Sequence, residues 1–188
     1  MILDLIAREN DIYAEAEDVN DPNLPQRNGF DLLGIIYSRS GRQQEAIAFY
    51  EEILNNSDKH SKKFVIQVLH SLAPLYELCD MPEQAFATYK QIVEQDPNVF
   101  ALLGCVRNLQ KLERTEEAAS ILHHAISMYP DEPMVYTSAA SAMINAGRMD
   151  EARKYLEDID QKRPHLQLKK WLDMMNVAQD QDSISKQL

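Results

Sequence analysis

Residues 69–97 read LHSLAPLYELCDMPEQAFATYKQIVEQDP, and the spacing of their packing residues recurs three more times in the chain. Each copy is anchored by one alanine, with a pair of packing residues a dozen positions before it and a large apolar residue four positions after it. The anchors are Ala46, Ala85, Ala118 and Ala152, which lie 39, 33 and 34 residues apart. Self-similarity at such a period predicts stacked helical hairpins rather than one closed globule.

The repeated pattern resembles the tetratricopeptide repeat family over about residues 27–164. The two best copies are Leu69-x2-Leu72-Ala73-x2-Tyr76…Ala85-x3-Tyr89…Pro97 and Tyr136-x2-Ala139-Ala140-x2-Met143-x3-Gly147…Ala152-x3-Leu156…Pro164. The resemblance implies an all-α, right-handed α-solenoid of about four helical hairpins. It also implies that the first helix of each hairpin lines the concave surface.

The chain departs from the family pattern at three points. No repeat has the early tryptophan that the family often places where Phe30, Leu69, Leu102 and Tyr136 stand here. Val106 replaces a small residue, so we expect the third hairpin to pack slightly wider. Asp58 replaces the closing proline of the first repeat.

The turn-forming residues divide the chain into segments. We predict an N-terminal amphipathic helix and linker at 1–26, followed by repeats at about 27–60, 61–97, 98–131 and 132–164. A C-terminal capping helix at 165–178 and a disordered tail at 179–188 complete the prediction. Trp171 is expected to be mostly buried, because the last repeat of a stack needs a covered face.

Local signals place the helix ends. Gly41 and Gly147 are predicted to end the first helices of their hairpins as left-handed cap residues. Pro82 and Pro133 fall where helices begin, since a missing N–H costs little there. The long first interval is taken up either by a loop or by a helix that starts near Ser61, and the helical periodicity after Ser61 favours the helix.

Composition excludes several function classes. Thirty acidic against nineteen basic residues give a net charge of −11, which disfavours unaided binding to nucleic acid or anionic membrane. Cys79 and Cys105 have no metal-ligand spacing, and Cys105 occupies a packing position as a buried free thiol. The absence of a signal-peptide pattern and of any long apolar run predicts a cytoplasmic protein.

Acidic residues concentrate in the first turns of the predicted second helices. Glu83, Glu116, Glu117, Asp150 and Glu151 are of this kind. The helix dipole favours negative charge at these positions, which accounts for them structurally. An acidic docking face is the alternative.

The sequence carries no catalytic signature. It has no phosphate-binding glycine loop, no nucleophile elbow and no His/Cys cluster at ligand spacing. His123 and His124 are adjacent on a helix and point about 100° apart, so one face cannot offer both to a metal. We therefore expect neither an enzyme nor a cofactor.

The candidate site is the predicted groove, formed by inward residues of the first helices. Counting helical turns from the packing residues gives Ile35, Arg39, His70, Pro74, Leu78, Phe100, Leu103, Arg107, Lys111 and Met134. Apolar side chains with a few charges suit an extended or helical peptide. The alternative is that Phe100, Leu103 and Met134 pack between repeats. Pro74 removes one helical hydrogen bond, and either frees the carbonyl of His70 for a ligand or marks a tolerated bend.

These features together predict a non-catalytic adaptor that binds a protein or peptide partner. Chaperone-binding members of the family use a clamp of Lys, Asn and Arg side chains, but the matching positions here hold Asp31, Ile35, Ser71, Phe100 and Gly104. That clamp is therefore absent. A secretion or assembly chaperone and a subunit of a larger complex are the alternatives. Homodimerisation through the apolar N-terminal helix is one predicted use of that helix.

Overall fold

The computed structural model describes residues 41–185, with side chains to residue 176, as eight α-helices without a strand. The helices are α1 (Gln43–Asn55), α2 (Lys62–Leu78), α3 (Pro82–Gln95), α4 (Val99–Lys111), α5 (Thr115–Met128), α6 (Pro133–Asn145), α7 (Met149–Lys162) and α8 (Leu166–Ser185). The predicted fold class, all-α helical repeats of the solenoid type, is confirmed. The predicted N-terminal helix and linker, the helix at 27–40, Ile35 and Arg39 lie outside the described residues.

The chain divides into two compact units at Pro97. In the first unit, α2 packs against both α1 and α3. In the second unit, α4 pairs with α5 and α6 pairs with α7. Helix α6 also contacts α4 and α5, while α8 covers α7 and α6. Helices α2 and α3, α4 and α5, and α6 and α7 therefore form three successive hairpins.

The anchor alanines lie in the core between packed helices. Ala46, Ala85 and Ala152 are 0% exposed and Ala118 is 3% exposed. In the first unit, the two alanines share one core with larger side chains of α1 and α2, which are Ile47, Tyr50, Ile53, Val68, Leu72, Leu75 and Tyr76. A side chain without atoms beyond Cβ allows the helices to come together there, so volume at these positions sets the helix spacing.

The turn inside each hairpin contains one residue in the left-handed conformation. Gly147, with φ of 75°, confirms its predicted cap, and Gly41 has the same conformation with φ of 71° after a segment that lies outside the described residues. Asp80 and Glu113, with φ of 53° and 58°, occupy the same repeat position without being glycine. The matching hydrogen bonds run from the N–H of Met81 to Tyr76 O, of Arg114 to Leu109 O and of Arg148 to Met143 O, each at 2.9 Å. These bonds satisfy carbonyls at the end of the preceding helix.

The extra residues before α2 form a single 3₁₀ turn at Ser57–Lys59. Ser61 then caps α2, because its Oγ accepts a hydrogen bond of 3.3 Å from the N–H of Phe64. The helix-start interpretation at Ser61 is thus confirmed over the longer loop.

Helix α8 differs from its prediction in length. It runs to Ser185 rather than ending near residue 178, which corrects the expected disorder over 179–185. The reason is that no glycine or proline follows Pro164, so the helix continues at low cost per added residue. Leu168 and Met175 are its buried contacts, while Trp171 is only half-buried.

Replacing Ala85 by leucine should destabilise the chain by about 1–3 kcal/mol, because the added atoms overpack the close contact of α2 and α3. Ala87→Leu is the matched control, since Ala87 lies on the same helix and is exposed. Urea unfolding of both variants measures the difference. Equal stability of the two would show that the helices do not meet at Ala85.

Replacing Glu113 by glycine should stabilise the chain by about 0.5–1 kcal/mol, because a left-handed backbone costs a glutamate roughly 1–2 kcal/mol. Asp80→Gly should gain less, since aspartate tolerates this conformation better. Gly147→Ala should lower the stability by about 1 kcal/mol, because alanine is strained in the left-handed conformation. A clash does not add to this cost, since the new Cβ meets no atom within 4 Å. Thermal unfolding checks all three, and a destabilised Glu113→Gly variant would contradict the assignment of strain.

Candidate partner-binding surfaces

The first surface lies on α2 in the first unit. His70, Pro74 and Leu78 follow one another at four-residue spacing, so they share one face of this helix. His70 is half-buried, Pro74 is exposed and Leu78 is 64% exposed. Because Pro74 has no N–H, the carbonyl of His70 lacks its usual helical donor and can accept from a ligand. This face combines an apolar side chain with a backbone acceptor.

Two tyrosine hydroxyls fix the helices beside this surface. Tyr76 Oη donates to Glu51 Oε1 at 2.6 Å, and Tyr89 Oη donates to Glu77 Oε2 at 3.1 Å. Burial, followed by the hydrogen bond to the Glu51 carboxylate, raises the pKa of the Tyr76 hydroxyl well above its usual value. Tyr76 therefore remains a neutral donor. The carboxylate of Glu77 therefore takes part in a contact within its own hairpin.

The second surface lies on α4 in the second unit. Asn98 begins this helix by accepting a hydrogen bond of 3.0 Å from the N–H of Ala101 on its Oδ1. Phe100 then stands 63% exposed, and Arg107 and Lys111 are exposed on later turns. Their spacing of seven and four residues places these three side chains on one face. The surface therefore presents an aromatic ring and two cations.

Leu103 does not belong to this exposed surface. Its side chain is only 2% exposed and forms part of the core of the second unit. This placement corresponds to the packing alternative rather than to an accessible contact. On α6, Met134 is half-buried, and its carbonyl accepts a hydrogen bond of 3.1 Å from the Thr137 hydroxyl.

A cavity of about 220 Å³ lies between two loops of the second unit. Pro130, Asp131, Pro133, Tyr136, Arg163, Pro164, His165 and Leu168 line it. Tyr136 Oη donates to Pro130 O at 2.7 Å, and Arg163 Nη1 lies 2.6 Å from Asp131 Oδ1. No sequence pattern indicates this cavity, because its walls come from loops about thirty residues apart.

The exposed ion pairs have a structural role. An arginine before the second helix bonds to a glutamate three residues later, as Arg114 does to Glu117 at 2.6 Å. The other two such pairs are Arg42 with Glu45 and Arg148 with Glu151. The hydrogen bond from Arg148 lowers the pKa of the Glu151 carboxyl. The pair therefore stabilises the fold while Glu151 is ionised, and this stabilisation is lost as the pH falls through the lowered pKa. These fully exposed pairs are weak and are not candidate chemistry.

Within residues 41–185, no group of three or more His, Cys, Asp or Glu side chains is placed to hold a metal ion. None of the helices in the described part of the chain combines the length and the apolar character needed to cross a bilayer.

Two family models, both described as tetratricopeptide repeat, match residues 30–61 and 109–170, which together make up half of the chain. No curated protein matches. A solved structure of a Podosopora anserina putative kinesin light chain with nearly identical TPR-like repeats is 18% identical, with a TM-score of 0.62 over 84% of this chain and 88% of that one. A crystal structure of MamA is 17% identical, with a TM-score of 0.56 over 78% of this chain and 84% of that one. At these identities the likeness establishes the fold.

Truncation separates surface residues from packing residues. Leu103→Ala should destabilise the chain by about 2–5 kcal/mol, because it leaves a cavity in the core. Phe100→Ala should change the stability by no more than about 0.5 kcal/mol, because its ring is mostly in water. Denaturant unfolding measures both. A large loss in Phe100→Ala would show that this ring packs against the protein and is not available to a partner.

Proposed function

Because this chain belongs to the tetratricopeptide repeat family, we propose that it is a non-catalytic adaptor that holds a peptide segment of a partner protein on its first helices. A protein-interaction scaffold is the general function of this fold. The specific part of the proposal is the surface, namely the face of α4 that carries Phe100.

The observation that carries the proposal is the exposure of Phe100. In the described residues, the other large apolar side chains of α4 are buried in the core, including Val99, Leu102 and Leu109. Among the exposed large hydrophobic side chains of the described residues, Phe100 is also the only aromatic one. Aromatic side chains are enriched among the few residues that dominate binding energy at protein interfaces. An exposed phenylalanine beside two cations is therefore a suitable anchor point.

The surface can supply affinity and orientation separately. Removing Phe100 from water on binding contributes on the order of 1.5–3 kcal/mol. The charges of Arg107 and Lys111 act mainly on association rate and on the direction in which the segment binds.

The experiment that tests the proposal is affinity capture of the main partner on the immobilised full chain, followed by titration. Phe100→Ala should weaken binding by at least tenfold, since truncating a dominant contact costs roughly 2 kcal/mol or more. The helical circular dichroism signal should stay unchanged.

Met128→Ala is the matched control, because Met128 is an exposed apolar residue at the end of the second helix α5, with 47% exposure. The control should bind like the original chain. If binding survives Phe100→Ala but is lost when Glu116 and Glu117 are reversed in charge, the partner uses the second helices and the proposal is wrong.

A further inference from the structure

Charge in this chain is sorted by helix position. The second helices of the hairpins, α1, α3, α5 and α7, carry twelve carboxylates against four lysines and arginines. The first helices, α2, α4 and α6, carry one carboxylate against four lysines and arginines. The two classes of helix therefore have opposite net charge, although the whole chain is strongly acidic.

The helix dipole does not account for this difference. Six of the twelve carboxylates lie in first turns, where the dipole favours them. The first helices offer equally favourable N-termini, yet none of α2, α4 and α6 has an acidic residue in its first turn. The first helices have few exposed positions, but of the three exposed residues of α4 two are basic, Arg107 and Lys111, and none is acidic.

The ionisable side chains of the first helices show the same separation of charge. The one carboxylate, Glu77, accepts the hydroxyl of Tyr89, so part of its charge is engaged inside the hairpin. Helix α4 has no carboxylate and exposes Arg107 and Lys111. Helix α6 has no ionisable side chain at all apart from Tyr136, whose hydroxyl is bound to Pro130 O.

We infer that the partner segment is acidic, with Asp or Glu residues next to an apolar anchor that contacts Phe100. This inference rests on the proposed function and adds the chemistry of the partner to it. Carboxylates on α4 would repel such a segment, whereas Arg107 and Lys111 attract it. The net charge of −11 does not prevent contact, because exposed charges farther away than about 8 Å are largely screened at physiological salt.

The same net charge disfavours larger polyanions. An extended nucleic acid or an anionic membrane meets the carboxylate-rich second helices and loops as well as the first helices. A short peptide needs only the face of one or two helices. The sorting of charge therefore suits a protein segment rather than a polyanionic surface.

The test is binding of the labelled full chain to an array of random peptides of about twelve residues, with titration of the strongest binders in solution. The bound peptides should be more acidic than the array as a whole, and their affinity should fall as salt rises. The double variant Arg107→Glu, Lys111→Glu should lose the preference for acidic peptides and bind the strongest of them at least tenfold more weakly.

The control is Lys90→Glu, Lys154→Glu, which makes the same change in net charge on exposed positions of α3 and α7. It should retain the acidic preference. An equal loss in both double variants would reduce the effect to bulk charge and overturn the inference. The same follows if anionic phosphatidylserine vesicles or a DNA oligonucleotide bind more tightly than the best acidic peptide.

Phe100→Ala distinguishes the two levels of the proposal. If peptides bind through Phe100 but are neutral or basic, the inference about acidity is wrong while the proposed function stands. If peptide binding does not depend on Phe100, the proposed function fails and the inference fails with it.

Discussion

The packing of helices around the buried alanines is the constraint on which the rest of the structure depends. Ala46, Ala85 and Ala152 are wholly excluded from solvent, and Ala46 and Ala85 belong to one core with side chains of α2. This packing fixes which residues of a first helix are used for packing and which remain for other purposes. On α4, packing against both α5 and α6 leaves Phe100 outside and places Leu103 within the core.

The ends of the repeat helices α2 to α7 could be predicted because the repeat spacing, the prolines and the caps all act locally, whereas the sequence predicts the end of α8 near residue 178 rather than at Ser185. The burial of Leu103 could not be predicted in the same way. Counting helical turns from the contact between the two helices of one hairpin places Leu103 in the groove. Helix α4 contacts α6 as well as α5, so a wider stripe of its surface is buried. Burial by a neighbouring repeat is a property of the stack and is not visible in a single repeat.

Turn geometry shows the same division between local and repeated information. Glycine at positions 41 and 147 predicts a left-handed residue, whereas the residue types of Asp80 and Glu113 do not. Only their position in the repeat reveals the conformation, because the stacked helices impose the same turn on whatever residue stands there. Charge is likewise a property of position, since carboxylates gather on the second helices and avoid the first. Packing thus defines which part of each helix remains at the surface, and the residues outside the packing positions set the charge of that surface.

The most direct measurement of the central claim is hydroxyl-radical footprinting of the full chain with and without its captured partner. Oxidation reports the accessibility of side chains that lie on different helices. The account predicts that oxidation of Phe100 falls several-fold in the complex, while Met128 and Met149, exposed on α5 and α7, are oxidised as before. Protection of Met128 and Met149 with Phe100 unchanged would contradict it.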